Sequence, residues 1–380
     1  VHGCRRCGEH LDHDGPCLLA RRSHAARRVS SVTPRVLWID SARGVALLLI
    51  VVMHVTITVY TPIAVDEASR VSWSSLVNAS WPGRLTVVFL IAGVLNGSAI
   101  RTGLRSRKVL RAVWTYLWIY LVWQLLYTLL TGVGVDVWTP NPLTQKTAAL
   151  LQLIAPTTVL RFILALAVWT VGRASAHRVR PAIVLAVLGV VSIGSWVVPG
   201  LRGHDQYLHI LQYGLYFAIG VYGAHSIRRL VEHRTVEVFA VSVVALTVGL
   251  FIVAQPANWS MPVGSIPAYV GGAGIVMALC RMTESVHALT SPLVWVGQRT
   301  LLIYVTHLPV ASALVLLPFW SGLVNTAVVG PLTPLIATGI AIAVVPMLQF
   351  ALRRTWGKYL WTAPPLRALS AAPRTDADRA

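Results

Sequence analysis

The chain has 380 residues, of which 56% are hydrophobic and only 12% are charged. An ordinary soluble domain carries about 25% charged residues, so this composition excludes one and predicts an integral membrane protein embedded in a lipid bilayer. The formal net charge of +19 would also suit a nucleic-acid-binding protein. We predict no nucleic-acid partner, because the basic residues are concentrated in the tails and in alternate short loops.

Residues 1–35 form a basic segment ahead of the first apolar run, and we predict that they are a disordered cytoplasmic tail. The segment is too long and too basic for a signal peptide. Cys4, Cys7 and Cys17 leave a zinc knuckle open as an alternative. Because the second cysteine pair of such sites is missing, we predict no metal site.

Ten apolar stretches of the sequence are long enough to cross the ~30 Å hydrocarbon layer of a bilayer. We therefore predict an all-α, polytopic membrane domain over residues 36–352, followed by a cytoplasmic tail over residues 353–380. The ten spans are placed near residues 36–60, 83–100, 110–131, 150–172, 181–199, 207–225, 236–254, 265–280, 292–316 and 327–351.

The loops at residues 101–111, 172–180 and 226–234 are rich in Arg and Lys, whereas the loops between them hold few basic residues. Cytoplasmic loops carry such an excess, so both termini are predicted to be cytoplasmic. Arginine far outnumbers lysine, which favours a GC-rich bacterial genome. The predicted location is a bacterial plasma membrane, crossed many times.

The first span carries three ionisable residues, Asp40, Arg43 and His54, in the stretch DSARGVALLLIVVMHVT. An ionisable side chain in a bilayer costs about 2.5 kcal/mol or more, so each is a functional candidate. Arg43 and His54 are eleven positions apart, which places them within about 20° of each other on a helix and roughly 16 Å apart along its axis. Asp40 lies one turn before Arg43 and can pair with it.

Two interpretations of these residues remain open from their positions alone. Asp40 and Arg43 could be interfacial anchors, and His54 could be a packing residue with a polar partner. The alternative is a site in which His54 acts as a general base, since an imidazole titrates near neutral pH, and Arg43 holds an anionic substrate.

Two segments of the sequence resemble the membrane-bound acyltransferase 3 family. RVLWIDSARGVALLLIVVMHV matches the family's signature of Arg, ten residues and then His, at Arg43 and His54. The ninth span, LVWVGQRTLLIYVTHLPV, is similar to the family's Trp-x-Gly-Gln…Ile-Tyr-x-x-His-x-Pro segment. Two weaker segments depart from the family pattern, with Ala92 in place of the usual Ser and Arg161 where Trp is common.

The resemblance implies ten transmembrane helices, acyl-CoA as the donor substrate and a hydroxyl-bearing acceptor such as a glycan, a lipid or a small molecule. It implies that His54 is the catalytic base and that Arg43, steadied by Asp40, helps to hold the donor. The acyl group is expected to be acetyl. No bound cofactor is expected beyond this donor.

The ninth span supplies further candidates for substrate binding. His307 and His54 are predicted to lie at similar depths, so the two imidazoles could share a site, although a packing hydrogen bond near Tyr304 is an open alternative. Gln298 and Arg299 are expected at the cytoplasmic mouth, where they could bind CoA phosphates. Alternatively, the Arg299 side chain could extend to the membrane interface without binding a substrate.

A small-solute exporter without acyl-transfer chemistry is the rival function, with the same histidines and arginines lining a permeation path. Ion-coupled transporters commonly use carboxylates within the membrane. Acidic residues are scarce in the ten spans: Asp40 lies inside the first, and Glu237 lies at the edge of the seventh. This scarcity favours the acyltransferase.

Overall fold

A computed structural model describes residues 36–132, 158–197 and 205–365. The predicted N-terminal tail, and the predicted C-terminal tail after residue 365, lie outside the described residues. Within the described ranges the regular structure is helical and contains no strand. The α-helices are α1 Leu37–Val55, α2 Glu67–Ala79, α3 Trp81–Ile100, α4 Arg107–Gly132, α5 Arg161–Ser175, α6 Pro181–Val197, α7 Asp205–His233, α8 Thr235–Val253, α9 Ser260–Met282, α10 His287–Gln298, α11 Thr300–Val315, α12 Trp320–Val324 and α13 Thr333–Leu352.

Six helical segments among the described residues are long and apolar enough to cross a membrane. Two shorter apolar helices, α6 and α11, add to them. The all-α polytopic class is therefore confirmed, whereas the predicted count of ten spans is not. The six segments are Leu37–Tyr60, Glu67–Ile100, Arg107–Leu130, Thr235–Val253, Ser260–Met282 and Gly330–Leu352.

The predicted ninth span, 292–316, is not one continuous helix. α10 ends at Gln298 and α11 begins at Thr300, with Arg299 at φ −108° and ψ 18° between them. The Thr300 hydroxyl donates a hydrogen bond of 2.5 Å to the carbonyl of Gly297, which satisfies an acceptor at the end of α10. The break falls on the polar residues Gln298, Arg299 and Thr300, which the predicted span included because long apolar stretches flank them.

Glycines allow α1 and α10 to cross in backbone contact. A Cβ added to Gly44 would collide with the carbonyl oxygen of Leu293, and one added to Gly297 would collide with that of Asp40. Small residues permit such close approach of helices in membranes. The two segments that carry the family resemblance are thus locked together at their N-terminal halves.

A second close crossing joins α3 and α7. A Cβ on Gly93 would collide with the carbonyl of Phe217, and one on Gly220 with the carbonyl of Leu90. Beyond this crossing, the rings of Phe89 and Tyr213 stack with centroids 5.1 Å apart. These contacts fix α3 and α7 as two walls of the cavity described next.

Candidate active site

Two buried histidines meet where α1 ends and α11 passes it. His307 Nε2 lies 3.2 Å from His54 Nδ1. His307 is fully buried and His54 is 7% exposed. The structure therefore brings together two of the residues that the sequence singled out, 253 positions apart.

The surrounding carbonyls assign the tautomers of this pair. His307 Nδ1 lies 2.7 Å from the carbonyl oxygen of Tyr304, which can only accept, so Nδ1 carries the proton and Nε2 the lone pair. His54 Nδ1 lies 2.9 Å from the carbonyl oxygen of Ile50 and faces the His307 lone pair. Both neighbours require a proton on His54 Nδ1. The remaining nitrogen, His54 Nε2, is therefore the basic one.

His54 lines a cavity of about 200 Å³ between α1, α3, α5, α7, α9 and α11. The cavity is smaller than the roughly 300–1,000 Å³ of sites for drug-sized ligands, so it fits a unit no larger than one sugar or one lipid headgroup. Its lining comprises Ile50, Met53, His54, Trp81, Arg84, Leu85, Phe89, Val159, Arg161, Phe162, Ala165, Ile210, Tyr213, Tyr269 and Tyr304.

The polar part of this lining is cationic and phenolic. Arg84 and Arg161 both act electrostatically on His54, and no Asp or Glu occurs among the described residues that line the cavity. The hydroxyls of Tyr213 and Tyr269 hydrogen-bond to each other beside Arg84. Arg84 and Tyr269 are not among the residues predicted from the sequence, although an arginine near the start of a membrane span is itself a functional signal.

Asp40 and Arg43 lie away from this cavity, near the start of α1. Arg43 Nη1 is 3.5 Å from Asp40 Oδ1, so the predicted i, i+3 ion pair is present. The side chain of Asp40 is 7% exposed and that of Arg43 is 26% exposed. Arg43 is accessible enough to contact a ligand, while Asp40 is placed to orient it.

The other ninth-span candidates have different surroundings. The Tyr304 hydroxyl donates a 2.5 Å hydrogen bond to the Val159 carbonyl, and the ring lines the His54 cavity. The Arg299 guanidinium lies over the Trp295 ring at 4.4 Å and donates to the Trp295 carbonyl at 3.3 Å. Gln298 is exposed. The roles assigned to these residues stay predictions.

A second cavity, of about 660 Å³, is formed by the start of α4 and the segment after α13. Its charged residues are Arg105, Arg107 and Arg111, and two indole rings complete the lining, from Trp114 and Trp361. We refer to this cavity as the arginine–tryptophan pocket. Arginine with aromatic rings is a combination suited to phosphates and a stacked base.

Three indole hydrogen bonds hold the segment after α13 against α4. Nε1 atoms of α4 tryptophans donate to backbone carbonyls of the segment in each case. The bonds run from Trp114 to Pro364 at 2.9 Å, from Trp118 to Tyr359 at 2.7 Å and from Trp123 to Leu360 at 2.6 Å. The part of the predicted C-terminal tail that the structure describes is thus packed on the helical domain.

The two cavities lie toward opposite ends of α3. Arg84, in the first turn of α3, lines the cavity at the end of α1 that holds His54. Ile100 ends α3, and α4 begins soon afterwards, at Arg107 beside the arginine–tryptophan pocket. α3 therefore runs antiparallel to α1, and the pocket lies toward the end where α1 begins.

The helical fold, the apolar spans and the buried imidazole beside a polar cavity define a polytopic membrane protein with an internal site. Residues 36–360 match the family model described as an acyltransferase domain, that of the acyltransferase 3 family. The chain belongs to this family and is a membrane acyltransferase. Searches of curated proteins and of solved structures returned no match.

Proposed function

We propose that the protein transfers an acyl group from cytoplasmic acyl-CoA to a hydroxyl of a glycan, lipid or small-molecule acceptor. We expect the acyl group to be acetyl. The observation that carries this proposal is the His54–His307 pair. A neutral imidazole whose Nδ1 proton is held by a carbonyl has Nε2 as its basic nitrogen, and His54 lines a cavity.

In this mechanism His54 Nε2 accepts the proton of the acceptor hydroxyl as its oxygen attacks the thioester carbonyl. The C–S bond of the tetrahedral intermediate then breaks, and the CoA thiolate takes the proton from the His54 imidazolium. The products are an ester and CoA with a free thiol. His307 acts as a positioning residue, because its Nε2 supports the His54 tautomer that the first step needs.

The donor is assigned to the opposite end of the bundle. The arginine–tryptophan pocket offers three guanidiniums for the phosphates of CoA and two indole rings for its adenine. Arg43, held by Asp40, lies between this end and His54. Arg43 and His54 are separated by about 16 Å along α1, a span for the extended pantetheine arm to bridge.

We assign the arginine-rich end of the bundle to the cytoplasm of a bacterial plasma membrane. The basic loop at residues 101–111 and the basic residues after α13 support this orientation. With both termini on that side, acyl-CoA would enter from the cytoplasm, and the acceptor would reach His54 from the opposite half of the bilayer.

A transfer assay with purified protein in nanodiscs tests the proposal. Acetyl-CoA and a membrane extract containing native acceptors should yield free CoA thiol together with an acetyl ester that mass spectrometry detects. His54→Gln should lower this rate by roughly 10²–10⁴-fold, because a general base is removed. His287→Gln, a change at an exposed histidine on α10, is the matched control.

The same assay distinguishes an acyltransferase from a small-solute exporter. Wild-type protein that moves a solute across the bilayer while neither hydrolysing nor transferring from acetyl-CoA would establish the exporter instead. Unchanged transfer by His54→Gln would show that His54 is not the general base.

A further inference from the structure

The cavity beside His54 has a charge distribution that transfer to a neutral alcohol does not require. Arg84 and Arg161 contribute two guanidiniums to its wall, and no carboxylate occurs among the described lining residues. Arg84 Nη1 is buried and has no hydrogen-bond partner among the residues that the structure describes. A guanidinium held in this way within a membrane domain is costly unless a ligand satisfies it.

The positions of the two arginines concentrate positive charge on the same cavity. Arg84 lies in the first turn of α3, and Arg161 is the first residue of α5. Both side chains line the one cavity from different helices. Paired guanidiniums of this kind bind anionic groups through charge-assisted hydrogen bonds.

This charge also bears on the base. Both guanidiniums act on His54, which must take up a proton during transfer. Two positive charges beside a base that becomes positive raise the energy of that step, and a negative group placed between them lowers it. An anionic acceptor would therefore supply the charge that makes His54 effective.

We propose that the acceptor carries an anionic group, a phosphate or a carboxylate, which Arg84 and Arg161 hold while a neighbouring hydroxyl meets His54. The proposal rests on the proposed acyl transfer and specifies its acceptor. The volume of about 200 Å³ fits a sugar-sized unit or a lipid headgroup. The phenols of Tyr213 and Tyr269 add polar groups to the cavity wall next to Arg84.

Paired acceptors test this specificity and identify the source of the anion. Acetyl transfer in nanodiscs is measured with glucose 6-phosphate against glucose, and with phosphatidylglycerol against glucosyl diacylglycerol. We expect kcat/KM for the anionic member of one pair to exceed that of its neutral partner by roughly 10–100-fold, as a charge-assisted contact provides. The pair that shows the preference distinguishes a soluble phosphate from a headgroup.

Variants tie the preference to the two arginines. Arg84→Gln and Arg161→Gln should each bring the ratio between anionic and neutral acceptors close to one, whereas Arg84→Lys should retain part of it. Arg70→Gln is the matched control, since Arg70 is a half-exposed arginine that forms a surface ion pair with Glu67. Equal rates with both members of each pair would overturn the proposal. Gln variants that slow both members equally would also overturn it and indicate an oxyanion-stabilising role.

A binding measurement tests the anion site independently of the proposed acyl transfer. With CoA saturating, glycerol 3-phosphate should raise the Tm of wild-type protein more than glycerol does, and Arg84→Gln should remove the difference. If this shift is present while no acceptor is acetylated, the anion site stands and the acyl-transfer proposal fails. If transfer occurs but the shift and the acceptor preference are both absent, the anion site fails alone.

Discussion

The two cavities of this protein are built in opposite ways. The cavity beside His54 is lined by six helices, and three of them, α1, α3 and α7, cross other helices in backbone contact at glycines. The arginine–tryptophan pocket has only the start of α4 on one side and a segment without a long helix on the other, joined by three indole hydrogen bonds. The shape of the His54 cavity therefore depends on helices packed through their backbones, whereas the shape of the arginine–tryptophan pocket depends on side-chain hydrogen bonds.

This difference matches what each site is proposed to do. A base must be held within a few tenths of an ångström of its working geometry, which packed helices provide. A pocket for a large, flexible donor needs charge and room, and it has about three times the volume of the His54 cavity. The comparison predicts that the first site tolerates almost no change in shape, while the second loses activity in small steps.

The largest effect is expected from a single methyl group between α1 and α10. In Gly297→Ala the new Cβ would collide with the Asp40 carbonyl oxygen, so the helices must separate. Overpacking costs typically 1–3 kcal/mol, and here the obstacle is backbone that cannot rotate away. We expect a clearly lower Tm in detergent and loss of acyl transfer. Gly339→Ala makes the same change in α13 where nothing lies within 4 Å, and it should leave both values near wild type.

The next effect concerns His307 as a positioning residue. His307→Phe removes the lone pair that supports the His54 tautomer, and we expect kcat to fall by roughly 10–100-fold, the range seen for such supporting partners. The KM for acetyl-CoA should stay unchanged, because the donor is held at the other end. His307→Gln should recover part of kcat, since its amide oxygen can accept where Nε2 did. Equal losses in both variants would assign His307 to packing alone.

The smallest effect is expected in the arginine–tryptophan pocket. Arg111→Gln should raise the KM for acetyl-CoA about 3–5-fold with kcat unchanged, because an exposed charge contact contributes up to about 1 kcal/mol. The effect should shrink as ionic strength rises. Arg180→Gln, at an exposed position before α6, controls for the loss of one positive charge. A lower kcat in Arg111→Gln would mean that this pocket takes part in more than donor binding.

The sequence predicted the features that depend on one helix or on a family motif. The spacing of Arg43 and His54 follows from helical periodicity, as does the Asp40–Arg43 ion pair that the structure shows. Counting residues into two spans placed His54 and His307 at similar depths, and the structure has them in contact. The catalytic roles of these residues remain predictions.

The remaining features depend on contacts between distant segments. Arg84, Arg161 and Tyr269 come from three different helices, and no spacing in the sequence relates them. The break at Arg299 coincides with the polar residues 298–300, and it lies next to Gly297, which packs against the backbone of α1. Arg299 contacts Trp295 on the preceding helix, an arrangement that charge and position alone do not specify.

The indole contacts between α4 and the segment after α13 also determine the order in which the two sites can form during synthesis of the chain. Trp114 and its partner Pro364 are 250 positions apart in the chain. At translation rates of 5–20 residues per second, α4 waits roughly 12–50 s for the residues that complete the arginine–tryptophan pocket. The histidine pair, which needs only residues up to α11, can form earlier. A nascent chain would therefore acquire its proposed base before its proposed donor site, which delays use of acyl-CoA until synthesis has passed Pro364.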